Sequence, residues 1–261
     1  MMKKILKRIV IGVFISAIVG LIGYAIFPNQ VKSIGKKVVK STKQALIKVR
    51  DEKHKEKYKS FKPNESSVWG IDISHHQTGI NWDELNKNKP YFVFLKSTEG
   101  TSHIDNKHRV YKNKLDELSI PSGSYHFFSY STSGREQAKH FLNNTYLKKG
   151  DLHPVLDVEF KNHMPNKSNV INNVNEFVEY VNNELGVTPI IYCECDFYYK
   201  YLKDNLKSEC IYWISDFWRE PKCDYVLWQK TDKFRHSAFK GTIDYNVLNG
   251  TQDELENLKL K

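Results

Sequence analysis

The chain has 261 residues, 40% hydrophobic and 13% aromatic, enough apolar material to bury a sizeable core and to exclude disorder throughout. Its formal charge of +10 raises a nucleic-acid reading, but residues 1–60 hold 15 Lys and Arg against 3 Asp and Glu, whereas residues 61–261 hold 25 against 27. A nucleic-acid-binding domain needs its cations on the folded face that meets phosphate, so a near-neutral body sets that class aside and no nucleic-acid partner is expected.

Lys3, Lys4, Lys7 and Arg8 precede residues 9–27, which carry no charge and only Ser16 and Tyr24 as polar groups. At 1.5 Å per residue such a helix is about 28 Å long, close to the hydrocarbon thickness of a bilayer and longer than the apolar run of a cleaved signal. Residues 1–27 therefore read as a single-pass signal anchor, with a signal peptide cut after Ala25 as the alternative. Lysines flank the span on both sides, so charge counting alone leaves its orientation open. The short leading flank favours an extracytoplasmic body. Residues 28–66 read as a basic juxtamembrane helix or linker, with Val31, Ile34, Val38, Ala45 and Val49 at roughly helical spacing. Such a segment suits an anionic membrane surface, a stalk against anionic wall polymers, or a solvated spacer.

The domain expected over residues 67–261 alternates short apolar runs with polar stretches of helical composition. Strands are predicted over 68–73, 91–96, 122–128, 153–158, 189–192, 211–214, 225–229 and 242–245, and helices over 82–88, 107–118, 135–146, 168–185 and 196–206. Strands separated by helices argue for parallel βαβ units, and unbroken apolar runs suit strands covered on both faces. The predicted fold is α/β, an eight-stranded barrel with little helix near its end.

Barrels of this kind carry their chemistry at the carboxyl ends of the strands, and those ends are rich in acid. Asp72, Glu99, Asp157, Glu159 and Asp244 would converge on one mouth, beside Tyr125, His126, Tyr192, Trp213, Trp228, Gln229 and Asn246. Asp157 and Glu159 are the sharpest pair. Two positions apart on a strand they share a face, with Cα atoms about 6.6 Å apart, close enough for each to oppose the other's ionisation. A carboxyl that keeps its proton beside one that has lost it is what glycosidic cleavage requires. Tyr and Trp rings supply apolar platforms for the C–H faces of sugars. The plainer alternatives are a loop-capping Asp-x-Glu and core aromatics. His75, His76 and His126 with Asp72 have the residue types of a zinc shell, but adjacent histidines on extended backbone point apart, so no catalytic metal is expected. Cys193, Cys195, Cys210 and Cys223 fall within 31 residues. They allow two disulfides, each of the first two pairing with Cys210 or Cys223, or else buried free thiols.

The runs Asp72-Ile-Ser-His-His-Gln77, Phe94-Leu-Lys-Ser-Thr-Glu-Gly100, Gly123-Ser-Tyr-His-Phe-Phe128, Pro154-Val-Leu-Asp-Val-Glu159, Tyr212-Trp213, Trp228-Gln229 and Asp244-Tyr-Asn246 together resemble the strand-end motifs of the glycoside hydrolase family 25 lysozymes, in register over about residues 67–250. The resemblance implies a (β/α)5(β)3 barrel, peptidoglycan as substrate, hydrolysis of the β-1,4 bond between N-acetylmuramic acid and N-acetylglucosamine, and no cofactor. It implies Glu159 as general acid and base, and Asp157 as the group that orients the substrate's 2-acetamido substituent or stabilises an ionic intermediate. Asp72, Glu99 and Asp244 would shape the cleft and tune those two. Ser215-Asp-Phe217 departs from the small residue and Tyr often found there.

Overall fold

The computed structural model describes residues 67–261; the expected membrane segment and basic linker lie outside the described residues. Among those described, no helix is long and apolar enough to cross a membrane. The chain runs β1 (Trp69–Ile73), α1 (Trp82–Lys87), β2 (Phe92–Glu99), β3 (His103–Ile104), α2 (His108–Glu117), β4 (Ser122–Phe127), α3 (Gly134–Asn144), β5 (Val155–Asp157) and α4 (Lys167–Leu185). It continues through β6 (Ile190–Glu194), the single turn α5 (Cys195–Phe197), β7 (Tyr212–Ser215), β8 (Leu227–Phe234), β9 (Ile243–Leu248) and α6 (Gln252–Glu256). Hydrogen bonding passes through β1, β9, β8, β7, β6, β5, β4 and β2, and β1 closes on β2, so eight strands make a barrel; β3 is a short antiparallel addition to β2.

Six of the eight pairings are parallel, from β1 with β2 round to β7 with β8. The last strand was expected to end in Asp244, but β9 runs antiparallel to both β8 and β1. A parallel return needs a crossover of a dozen or more residues, and the short connection between Phe234 and Ile243 cannot supply one. Asp244 therefore sits at the start of its strand rather than its end, opposite Asp72 in the register. The reversal delivers it to the mouth where the other strands finish.

Local chemistry accounts for the helices. Asn81, Ser133 and Asn166 cap α1, α3 and α4 with side-chain oxygens that accept from the third helical N–H, and α4 ends on Gly186 at φ 70°. The spacing of Val170, Val174, Phe177, Val178 and Val181 lays one face of α4 into the core between helices and barrel. The helix expected over 196–206 forms only as α5 and a widened π turn over Tyr198–Leu202, closed by Lys203 N–H to Tyr198 O at 2.9 Å. That wider turn buries Tyr198, Tyr201 and Leu202 alongside Phe197. Cys195, at its start, is disulfide-bonded to Cys223, closing a separation of 28 residues. Only this one bridge forms. Cys193 lies on β6 in the helix-side core and stays a free buried thiol, as does the half-buried Cys210. In the lumen, Phe92, Phe94, Trp213 and Leu227 pack together beneath the mouth. Gly123 leaves the space that Phe94 fills, since a Cβ there would lie 2.5 Å from its ring.

The tightest approach in the helix layer is that of Gly134, at the start of α3, to α4: a Cβ at that position would stand 1.7 Å from the backbone oxygen of Asn173. A backbone atom in the middle of a helix cannot step aside as a flexible side chain can. Gly134→Ala is expected to destabilise the domain by about 1–3 kcal/mol or more, lowering the denaturant midpoint with an unchanged m-value. An unshifted midpoint would show that α3 and α4 do not pack this closely.

Candidate active site

The barrel mouth opens into a cleft of about 330 Å³. Its floor is a chain of buried polar side chains from five strands. Asp72 Oδ2 accepts from Asn246 Nδ2 at 2.8 Å and from Gln229 Nε2 at 3.1 Å. The Trp213 indole N–H donates to Asn246 Oδ1 at 3.0 Å, and the Tyr192 hydroxyl donates to Gln229 Oε1 at 2.7 Å. Each amide is thus fixed as acceptor from an aromatic donor and donor to the carboxylate. Burial pushes Asp72 up while these bonds pull it back, leaving it raised. Burial, and then the charges of Asp72 and Asp232, hold Asp244 well above the usual carboxylate range, so Asp244 keeps its proton and donates it to Asp72.

Asp157 ends β5, and the backbone continues extended to Glu159 because it is pinned on both sides. Phe128 N–H donates to Asp157 O and Val158 N–H to Tyr192 O, each at 2.9 Å, and the Tyr130 hydroxyl reaches Glu159 O at 2.9 Å. Both carboxyls face the cleft. Asp157 is buried and its Oδ1 has no hydrogen-bond partner among the described residues; Glu159 is more open to solvent. Burial, then the Glu159 and Asp72 charges, carry Asp157 well above its ordinary value, against the pull of Lys161 and Lys96. Glu159 is also raised, by burial first and then by Asp72, with the same two lysines opposing. The two titrate as a unit that holds a proton where an isolated carboxyl has lost it.

Of the residues expected at the mouth, Asp72, Asp157, Glu159, Asp244, Tyr125, Tyr192, Trp213 and Gln229 line the cleft, and Asn246 lies directly beneath, its side chain spent on Asp72 and Trp213. Three go elsewhere. His126 alternates with Tyr125 and Phe127 and so points into the helix layer, against Phe141 and Phe177. There its ring joins Thr98 Oγ1 at 2.8 Å and Gln137 Oε1 at 3.1 Å, and burial lowers its pKa to about 4; it is a neutral fastener of α3. Trp228 alternates with Gln229 and points outward, its N–H on Asp216 O at 2.8 Å. Glu99 ion-pairs with Lys96 at 2.7 Å on a neighbouring groove. Burial raises its pKa, but the Lys96 bond and charge outweigh that and leave it lowered.

Phe127, Asp232, Lys96 and Ser74 were not among the residues expected at the mouth, His76 was considered only as a metal ligand and Phe217 only as a departure from the family pattern, yet all six line the cleft. A signal existed for Lys96, a charged side chain inside an otherwise apolar strand. It existed too for Phe127, two positions from Tyr125. Phe217 and Asp232 come from loop geometry and from an irregular stretch of β8, which alternation does not predict.

Residues 71–243 match the family model of glycosyl hydrolases family 25. The chain is 30% identical to the protein YegX of Escherichia coli O6:H1 over 247 residues, covering 89% of this chain and 88% of that one. It is 25% identical to the autolytic lysozyme of Clostridium acetobutylicum, over 67% of this chain and 54% of that protein. The solved structure of a family 25 glycosyl hydrolase from Bacillus anthracis superposes with a TM-score of 0.70 at 30% identity, covering 76% of this chain and 96% of that one. The match spans the strands that carry the paired carboxyls, and the chain belongs to glycosyl hydrolase family 25 and is a glycoside hydrolase.

Proposed function

We propose that the protein is an N-acetylmuramidase that hydrolyses the β-1,4 bond between N-acetylmuramic acid and N-acetylglucosamine in peptidoglycan, by a substrate-assisted route. The observation that carries this reading is the paired elevation of Asp157 and Glu159 in a cleft walled by Tyr125, Tyr192 and Trp213. The orphaned Asp157 Oδ1 suits an acetamido N–H. That bond favours the charged form of Asp157 and leaves the pair's proton on Glu159. Glu159 then protonates the leaving glycosidic oxygen as the acetamido oxygen attacks C1, breaking the C1–O bond and forming a cyclic cation that the Asp157 carboxylate stabilises. Water next attacks C1, giving its proton to Glu159 and restoring the acetamide.

The lysozyme relatives support peptidoglycan as the polymer. For location, the uncharged run at residues 9–27 supports a membrane anchor, and the Cys195–Cys223 bridge suits an oxidising compartment. We accordingly place the barrel on the extracytoplasmic side, working in wall turnover or lysis.

Full-length protein is expected to release reducing muramic ends from purified peptidoglycan, identified by mass spectrometry, and Glu159→Gln to lose about 10²- to 10⁴-fold in rate. Binding without release by the parent would replace the enzyme with a glycan-binding module, and a covalent sugar trapped on Asp157 would overturn the substrate-assisted route.

Holding raised carboxyls costs stability. Asp244 keeps in the folded state a proton that the unfolded chain loses above about pH 4, so its contribution is present below that pH and fades as pH rises through the folded pKa. Asp244→Asn, with its amide in place of the acid proton, should raise Tm near neutral pH by a few degrees and leave it unchanged in acid. An equal shift at both pH values would contradict a proton held on Asp244.

Protease added to intact cells should digest the barrel while sparing cytoplasmic markers; protection until lysis would reverse the assigned side.

A further inference from the structure

A second groove of about 340 Å³ runs beside the cleft, and Phe127 is a wall of both. Glu99, Ser129, Tyr130, Lys161 and His163 are among its other walls. Two lysines crowd the Phe127 ring, Lys96 with Nζ 4.8 Å from its centroid and Lys161 with Nζ 3.8 Å away. Their charges are handled differently. Lys96 is neutralised by Glu99 at 2.7 Å, whereas Lys161 forms no ion pair among the described residues. Its backbone N–H is tied to Met164 Sδ at 3.3 Å, which fixes the base of the side chain beside the groove. Tyr130, another wall, is the residue whose hydroxyl holds Glu159 O.

An apolar wall of Phe127, Tyr130 and Pro165, the paired hydroxyls of Ser129 and Ser131 at 2.7 Å, and an ammonium that acts on Asp157, Glu159 and Glu99 only through space set this groove apart from the cleft, whose polar groups are mostly acids and amides. They fit an extended peptide with small apolar side chains and a carboxylate. Resting on the muramidase reading, we propose that this groove receives the stem peptide carried by the muramic unit, with Lys161 bonded to a stem carboxylate. A sugar held at Glu159 lies one aromatic ring away, so a substituent on it reaches the groove by passing Phe127.

The test compares full-length protein on peptidoglycan bearing its stems and on the same glycan after amidase has stripped them. The quantity read is the ratio of the two kcat/KM values, in which any shared effect on turnover cancels. The parent ratio should favour the stem-bearing polymer, and Lys161→Ala should lower it about tenfold, as loss of a charge-assisted hydrogen bond predicts; Lys161→Arg should keep most of it. A parent ratio of one, or an Ala variant that slows both polymers equally, overturns the groove's role alone. A parent that cleaves neither polymer overturns the muramidase reading and this inference with it.

Discussion

A buried carboxylate at the bottom of the cleft is the constraint on which the rest depends. Asp72 cannot sit there ionised unless its oxygens are satisfied, and the side chains of Asn246 and Gln229 satisfy one of them. Those amides can face Asp72 only because Trp213 and Tyr192 occupy their other ends. The resulting chain ties β1, β9, β8, β7 and β6 together across the lumen. Low polarity makes each link stronger and makes a missing partner expensive, so the floor admits few rearrangements. Once Asp72 is negative, its neighbours respond: Asp244 holds a proton against it, and Asp157 and Glu159 are both pushed toward their neutral forms. Burial is the larger cause for all three, and the charge of Asp72 adds to it.

Two features of the backbone make this possible. The reversed last strand brings Asp244 and Asn246 to the mouth from a short connection, where a parallel strand would have needed another helix. The three hydrogen bonds along 157–159 extend the geometry of β5 past its last paired residue, so that Glu159 keeps the strand's period without belonging to the strand. It gains room and solvent there, which a proton donor to a bulky substrate needs, while Asp157 stays enclosed.

The helix layer stabilises this arrangement at a distance. His126, neutral between Thr98 and Gln137, fastens α3 to β2 and β4, and the contact of Gly134 with α4 lets two helices share the narrow space over β4 and β5. The disulfide does similar work on the helix-poor side, where α5 is too short to cover the barrel by itself. Raised carboxyls lower stability, and these fasteners offset that cost outside the cleft.

Much of this was legible in the residue order. Helices over 82–88, 107–118, 135–146 and 168–185 were read from helical composition between apolar runs and differ from the observed ones by one or two residues at most ends. Strand-end acids identified the mouth, and a two-residue separation put Asp157 and Glu159 on one face. Strand-end position alone placed Tyr125 and His126 at the mouth together, and likewise Trp228 and Gln229; the alternation of side chains along a strand would have turned His126 and Trp228 away from the cleft. Other features depended on contacts distant in sequence. The direction of β9, the single disulfide, the π turn, Phe217 at the rim and the use of Asn246 and Gln229 as floor rather than sugar contacts all depend on which strand lies beside which. Sequence determined the residue chemistry and the faces of its elements, because both are local; the tertiary structure alone decided which polar groups would satisfy one another, because a buried hydrogen bond is chosen by neighbours in space.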